Sequence, residues 1–152
     1  MTRALATAIR ESRRIRRNLV RAREDRYLSG DCGLASTLLA AAIRSPESLR
    51  CVDGGSGWHA YNVVDGTIID ITATQFNADV DEPTVRGVLV TDEPRSYHVG
   101  YTRNDRIRRG EAVIKHLKRV PWYGGDAYAG IRCERAVDFL LRIVAQRKRA
   151  MP

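Results

Sequence analysis

The stretch Trp58-His-Ala-Tyr-Asn-Val-Val-Asp-Gly-Thr-Ile-Ile-Asp-Ile-Thr72 decides the fold. Its apolar residues recur with a period of two on either side of Asp65-Gly66, the strongest short hairpin signal available. The pattern predicts strands over Trp58–Val64 and Thr67–Thr72 with a two-residue loop between them. Paired residue numbers then sum to about 131, which sets Tyr61 opposite Asp70 and makes His59 and Asp70 diagonal neighbours on one face. An Asp inside Thr-Ile-Ile-Asp-Ile-Thr is disfavoured in a strand and needs a reason. A carboxylate at that place can orient an imidazole and stabilise its protonated form.

Working outward, Leu49–Asp53 reads as a strand before a turn at Gly54–Gly57. Val85–Thr91 and Tyr97–Tyr101 read as further strands on either side of Asp92–Arg95. Upstream, Leu5, Ala8, Ser12, Ile15, Leu19 and Ala22 form a narrow apolar stripe on a long Arg-rich helix, broken at Ser29-Gly30. A second, almost wholly apolar helix is expected from Cys32 to about Arg44, with Asp31 as its N-cap. Downstream, a helix capped by Asn104 or Asp105 is expected through Arg119, with Ile107, Ile114 and Leu117 inward. A last helix is expected from about Gly130 to Arg147. The order predicts one α+β domain over 1–152. An Arg-rich helix (1–27) leads into a core (28–102) in which the Cys-bearing helix packs on a small antiparallel sheet, and helices follow (103–152).

The chain has 152 residues, 43% hydrophobic and 29% charged, which excludes a disordered tail and a fibrous repeat. No apolar run approaches a membrane span of about 18 residues, and the Arg-rich N-terminus lacks the apolar stretch of a signal peptide. The expectation is a soluble, cytoplasmic protein. Of the 26 basic residues behind the net charge of +8, all but Lys115, Lys118 and Lys148 are Arg. They cluster in helical segments, so weak, sequence-blind contact with nucleic acid or an acidic surface is the expectation. Three cysteines without a CxxC spacing support neither a disulfide framework nor a zinc knuckle. No P-loop, GxGxxG, HExxH or EF-hand pattern occurs, and no metal or cofactor is expected.

Gly30-Asp-Cys-Gly33 opens the apolar helix. A thiolate there is stabilised by the helix dipole and by free backbone N–H groups, which also suit an oxyanion. Gly33 lets a substrate backbone come close, whereas the Asp31 carboxylate opposes thiol activation. Cys32, His59 and Asp70 together supply the nucleophile, base and orienting group of a thiol enzyme. Cys51 and Cys133 read as apolar fillers, and Trp58 as a core or cleft-wall aromatic. His98 and His116 lack a carboxylate at useful spacing and read as structural or exposed. Trp122-Tyr123-Gly124-Gly125 reads as a packed turn or an aromatic flap.

With DCGLASTLL around Cys32, HAYN at His59 and IIDITATQF around Asp70, the chain resembles the transglutaminase-like branch of the papain-like cysteine enzymes. HAYNVVDGTIIDITATQF in particular looks like the His–Asp hairpin of small bacterial members. The resemblance covers about Tyr27 to Tyr101. It implies a Cys32–His59–Asp70 triad acting on an amide of a protein or peptide, as peptidase, deamidase or acyl transferase, through an acyl-enzyme and without a cofactor. Leader peptidases of peptide natural-product pathways also belong to the family. Tyr27 and Gln75 are candidate second oxyanion donors. Gln75 has the opposite parity to Asp70 and reaches the site only if the strand has ended by then. The alternative is a catalytically silent module of the same fold that binds protein or nucleic acid through its Arg-rich helices.

Overall fold

A computed structural model describes residues 1–54, 57–79, 81–100, 102–119 and 127–152. Among them are five α-helices and a five-stranded antiparallel sheet of order β4-β3-β2-β1-β5. Helix α1 (Arg3–Arg23) starts at Thr2, whose hydroxyl accepts the Leu5 N–H at 3.1 Å, and buries Ala8, Ser12, Ile15 and Leu19. Helix α2 (Cys32–Ala42) packs against α1, β2 and the last helix, α5 (Ala127–Ala150), and supplies Leu34, Ala35, Leu39 and Ala40 to the main core. Apolar residues on nearly every side make it the central element of the helical layer.

Strands β1 (Leu49–Gly54), β2 (Gly57–Val64) and β3 (Thr67–Asp70) form a meander. At the β2–β3 hairpin both loop residues have positive φ, 50° at Asp65 and 78° at Gly66, which twists the loop to match the strands. Asn62 pairs with Ile69, Val63 with Ile68 and Val64 with Thr67, the register that the sequence predicts. Parity sorts the side chains between two faces. Leu49, Cys51, Val64 and Ile69 enter the main core with α1, α2, α5 and helix α4 (Glu111–Arg119). On the other face Val52, Tyr61 and Ile68 form a smaller cluster.

Several elements depart from expectation. Strand β3 stops at Asp70 rather than Thr72, because Asp70 Oδ1 accepts the Thr72 N–H at 3.1 Å and turns the chain into a 3-10 helix, Ala73–Phe76. The strand expected over Val85–Thr91 is shortened to β4, Leu89–Thr91. Tyr97–Tyr101 is not a strand: Ser96–Val99 is a single helical turn, α3, ended by Gly100 at φ 99° (Tyr101 lies outside the described residues). Helix α2 ends at Ala42 rather than Arg44. The helix expected from Asn104 is split, since Arg106–Arg109 is an edge strand, β5, paired with β1, so the 103–152 segment also completes the sheet. Ile107 is therefore 38% exposed and not inward. Gly110, at φ 55° with its N–H on the Leu49 carbonyl, separates β5 from α4. Helix α5 starts at Ala127 rather than about Gly130. The turn around Gly55-Ser56 and the segment Trp122–Gly125 fall outside the described residues.

Candidate active site

Asp70 is the centre of the site, and its position follows from the strand end. Its Oδ1 closes the turn onto Thr72, which leaves Oδ2 to face the side chains on the second face of the sheet. His59 Nε2 lies 2.7 Å from that oxygen and His98 Nε2 lies 2.8 Å from it. Both Asp70 and His98 are fully buried. His98 is thus not the isolated histidine that its sequence context suggests, because α3 carries it to the carboxylate.

The proton on His98 can be located by its partners. The Arg95 N–H donates to His98 Nδ1 at 3.0 Å, so Nδ1 carries a lone pair and Nε2 carries the proton donated to Asp70. His59, Asp70 and His98 have the composition of a two-histidine, one-carboxylate metal site, with ligand atoms within 4.8 Å of one another. A metal-binding histidine offers its lone pair to the ion and donates its other N–H outward. His98 has the reverse arrangement, which suits a hydrogen-bonded carboxylate rather than a metal centre. Tyr61 fixes α3 further by donating its hydroxyl proton to the His98 carbonyl at 2.7 Å.

Around His59 stand the rings of Phe76, at 4.8 Å and edge-on, Tyr97 at 5.7 Å and Tyr61 at 6.0 Å. Phe76 and Tyr97 are themselves stacked, with centroids 4.0 Å apart. Burial in this cage works against a protonated imidazole. The charge and hydrogen bond of Asp70, reinforced by the Cys32 thiol, outweigh it and raise His59 to about 10. Burial alone would push the Asp70 carboxyl up, yet His59 first and His98 second hold it well below the usual carboxylate range.

Cys32 stands at the first residue of α2, and its thiol adds to Asp70 in favouring the protonated His59 imidazole. With Nε2 engaged by Asp70, Nδ1 is the nitrogen left for the thiol. Strand parity places His59 on the face away from the body of α2. The β2–β3 ladder ends at Asn62–Ile69 on that side, and the chain after Asp70 turns away into the 3-10 helix. Asn62 anchors the layers just beyond, donating to the Ser36 carbonyl and to Ser48 Oγ, each at 3.1 Å.

The N-terminus of α2 is left open toward the thiol. Asp31 holds the N-cap position but makes no side-chain capping bond, contrary to expectation, because Arg23 of α1 draws its carboxylate away at 2.6 Å. That pairing also neutralises the negative charge next to Cys32 that the sequence sets against activation. Gly33 follows, buried, with its carbonyl taken by Thr37 Oγ1 at 2.9 Å.

Gln75 does reach the site, since the strand has ended and the 3-10 helix swings it back. Its Nε2 donates to Thr72 Oγ1 at 3.0 Å and lies 3.5 Å from His59 Nδ1, on the side of the ring left for the thiol. Tyr27 is 43% exposed beneath the Arg26 guanidinium, and joins the site only through its carbonyl, which accepts from Thr74 Oγ1. Trp58 packs on the main core and stacks on His116 at 6.1 Å, on the face of β2 opposite His59. His116 has a carboxylate near it after all, Asp53 at 3.9 Å. Cys51 and Cys133 are fully buried, and burial pushes both thiols up.

Sequence reasoning missed two residues of this framework besides His98. Arg16 reaches inward from α1 to the Ile71 carbonyl at 2.8 Å and to Thr74 Oγ1 at 3.2 Å, pinning the turn that follows Asp70. Arg23 neutralises Asp31. Both sit in an Arg-rich helix where nothing in the spacing separates an inward Arg from an outward one.

No known protein family, curated protein or solved structure matches the chain.

Proposed function

We propose that this protein is a cysteine-dependent amide-bond enzyme built on a papain-like, transglutaminase-like core. One observation carries the reading: the buried His59 imidazole is held by Asp70 Oδ2 at 2.7 Å, and the Cys32 thiol at the start of a helix adds to Asp70 in raising that imidazole. That is the order of roles in a nucleophile–base–orienter chain. The Cys32 thiolate adds to the carbonyl carbon, forming the S–C bond and an oxyanion. In this reading the Cys32 backbone N–H and Gln75 Nε2 donate to that oxyanion. His59 passes its proton to the amide nitrogen, the C–N bond breaks, and an amine leaves the acyl-enzyme. Water or a second amine then gives a proton to His59 and attacks the thioester, which returns the thiolate. Water makes the enzyme a peptidase or a deamidase, and an amine makes it an acyl transferase.

The substrate class is a protein or peptide, and no cofactor is needed for these steps. Three free cysteines suit a reducing compartment such as the cytoplasm. Among the described residues no helix is long and apolar enough to cross a membrane.

The test is alkylation by iodoacetamide at pH 6, with each cysteine followed by peptide mass spectrometry. Cys32 reacts faster than free glutathione, Cys51 and Cys133 stay unmodified, and His59→Ala slows Cys32 by about tenfold or more. A Cys32 no faster than glutathione and indifferent to His59→Ala would leave a non-catalytic module of this fold.

A further inference from the structure

Helix α1 has two basic faces with different employment. On the inner side Arg16 and Arg23 hold the framework of the site. On the outer side Arg3, Arg10, Arg13, Arg14, Arg17 and Arg21 are all exposed, opposite the buried Ala8, Ser12, Ile15 and Leu19. At 3.6 residues per turn, Arg3, Arg10, Arg14, Arg17 and Arg21 fall within roughly 60° of one another along about 30 Å of helix. Arg14 is paired with Glu11 at 2.8 Å. Among the described residues, Arg3, Arg10, Arg13, Arg17 and Arg21 form no ion pair. Beside them Arg10, Arg13 and Arg17 wall an open groove of about 250 Å³ lined also by Met1, Ala6 and Ile9.

We propose that this outer face docks an acidic stretch of the polypeptide substrate, with an apolar side chain seated on Ala6 and Ile9. The identity of the docked chain as substrate rests on the amide-bond reading; the docking itself does not. Guanidinium forks match carboxylates in two-point hydrogen bonds, and here they stand free to make them. The apolar lining of the groove suits an aliphatic side chain and offers nothing to a sugar-phosphate backbone. Residues 1–26 contain no aromatic ring on which a base could stack. The stripe ends at Arg21, two residues before Arg23, whose side chain turns to the inner side of the helix and pairs with Asp31, the residue before Cys32.

The test uses the full chain carrying Cys32→Ala, so that binding is read without turnover. Fluorescence anisotropy follows a labelled peptide of alternating Glu and Leu, the same peptide with Lys for Glu, one with Ser for Leu, and a single-stranded oligonucleotide of similar charge. The Glu/Leu peptide binds, and both altered peptides and the oligonucleotide bind at least about tenfold more weakly. The triple variant Arg10→Ala, Arg13→Ala, Arg17→Ala weakens the Glu/Leu peptide by about tenfold or more while its melting temperature stays at the parent value. Equal or tighter binding of the oligonucleotide would make the face a nucleic-acid surface and overturn the proposal, as would unchanged peptide binding by the triple variant. Alkylation of Cys32 in the same triple variant, with Cys32 restored, stays at the parent rate. Failure of the catalytic reading would appear there and in His59→Ala, not in the anisotropy.

Discussion

His98 and His59 share one oxygen: Asp70 Oδ2 accepts from His59 Nε2 at 2.7 Å and from His98 Nε2 at 2.8 Å. The second oxygen, Oδ1, takes the Thr72 N–H. Three donors converge on one buried carboxylate, and they favour its ionised form, which only accepts and binds each donor more strongly. Asp70 is held by this set in charge and in rotation, and His59 inherits its orientation.

Replacing Asp70 by Asn keeps the shape and removes that capacity. An amide has a single acceptor oxygen, so whichever way it is turned its NH2 faces another N–H. Asp70→Asn costs about 3 kcal/mol or more of unfolding free energy, as expected for a broken buried ion pair. Urea denaturation measures it, and a loss below about 1 kcal/mol would mean that the carboxylate is not ionised in the fold.

The pair also sets a pH window. His59 is raised to about 10, so its contribution is whole below the unfolded value and is lost as pH climbs through about 10. Asp70 is depressed, so its contribution is whole above the ordinary carboxylate range and is lost as pH falls through its low folded value. The stability difference between the parent and Asp70→Asn is therefore largest between about pH 4 and 6.5 and shrinks in strong alkali. Denaturation curves across that range check it; a difference that grew toward pH 10 would reverse the assignment.

His98 is a positioning residue, and its replacement separates packing from hydrogen bonding. His98→Phe fills much of the volume but leaves the Arg95 N–H without its acceptor and Asp70 without one donor. Unfolding free energy falls by about 1–3 kcal/mol. The pH profile of Cys32 alkylation shifts as well, whereas a purely structural residue would lower stability and leave the profile alone.

Arg23 acts on the thiol through Asp31. Arg23→Ala removes a guanidinium from the carboxylate beside Cys32, and alkylation at neutral pH slows several-fold, roughly threefold to tenfold. Adding Asp31→Asn to that background restores the rate. If the double variant stays slow, Arg23 works by packing rather than by charge.

The hairpin and the central helix were legible because their signals are local. Asp65-Gly66 fixes a register by itself, and that register brings His59 to Asp70. What escaped depends on how separate segments meet. The alternation in Ser-Tyr-His-Val-Gly-Tyr imitates a strand, but Pro94 before it and Gly100 within it bound a single helical turn, and only the folded chain brings that turn to Asp70. Arg106–Arg109 has too few apolar residues to announce a strand, and β1 supplies the reason for it, pairing with it along one edge. Gly110 was the available sign that a helix could not run through from Asn104. The approach of Gln75 to His59 required the early end of β3, which Asp70 itself produces.

Strand β5 is one outer margin of the sheet, and all four of its residues, Arg-Ile-Arg-Arg, are exposed. A free strand margin ordinarily invites another chain to continue the ladder. Here a second copy offering the same margin would set guanidinium against guanidinium at Arg106, Arg108 and Arg109, of which Arg108 is paired with Asp53. Like charges oppose such pairing, and they do so through a field that dissolved salt screens over about 10 Å at 0.1 M. Ionic strength thus sets how far this margin repels its own likeness, and concentrated salt is the condition that removes most of that repulsion.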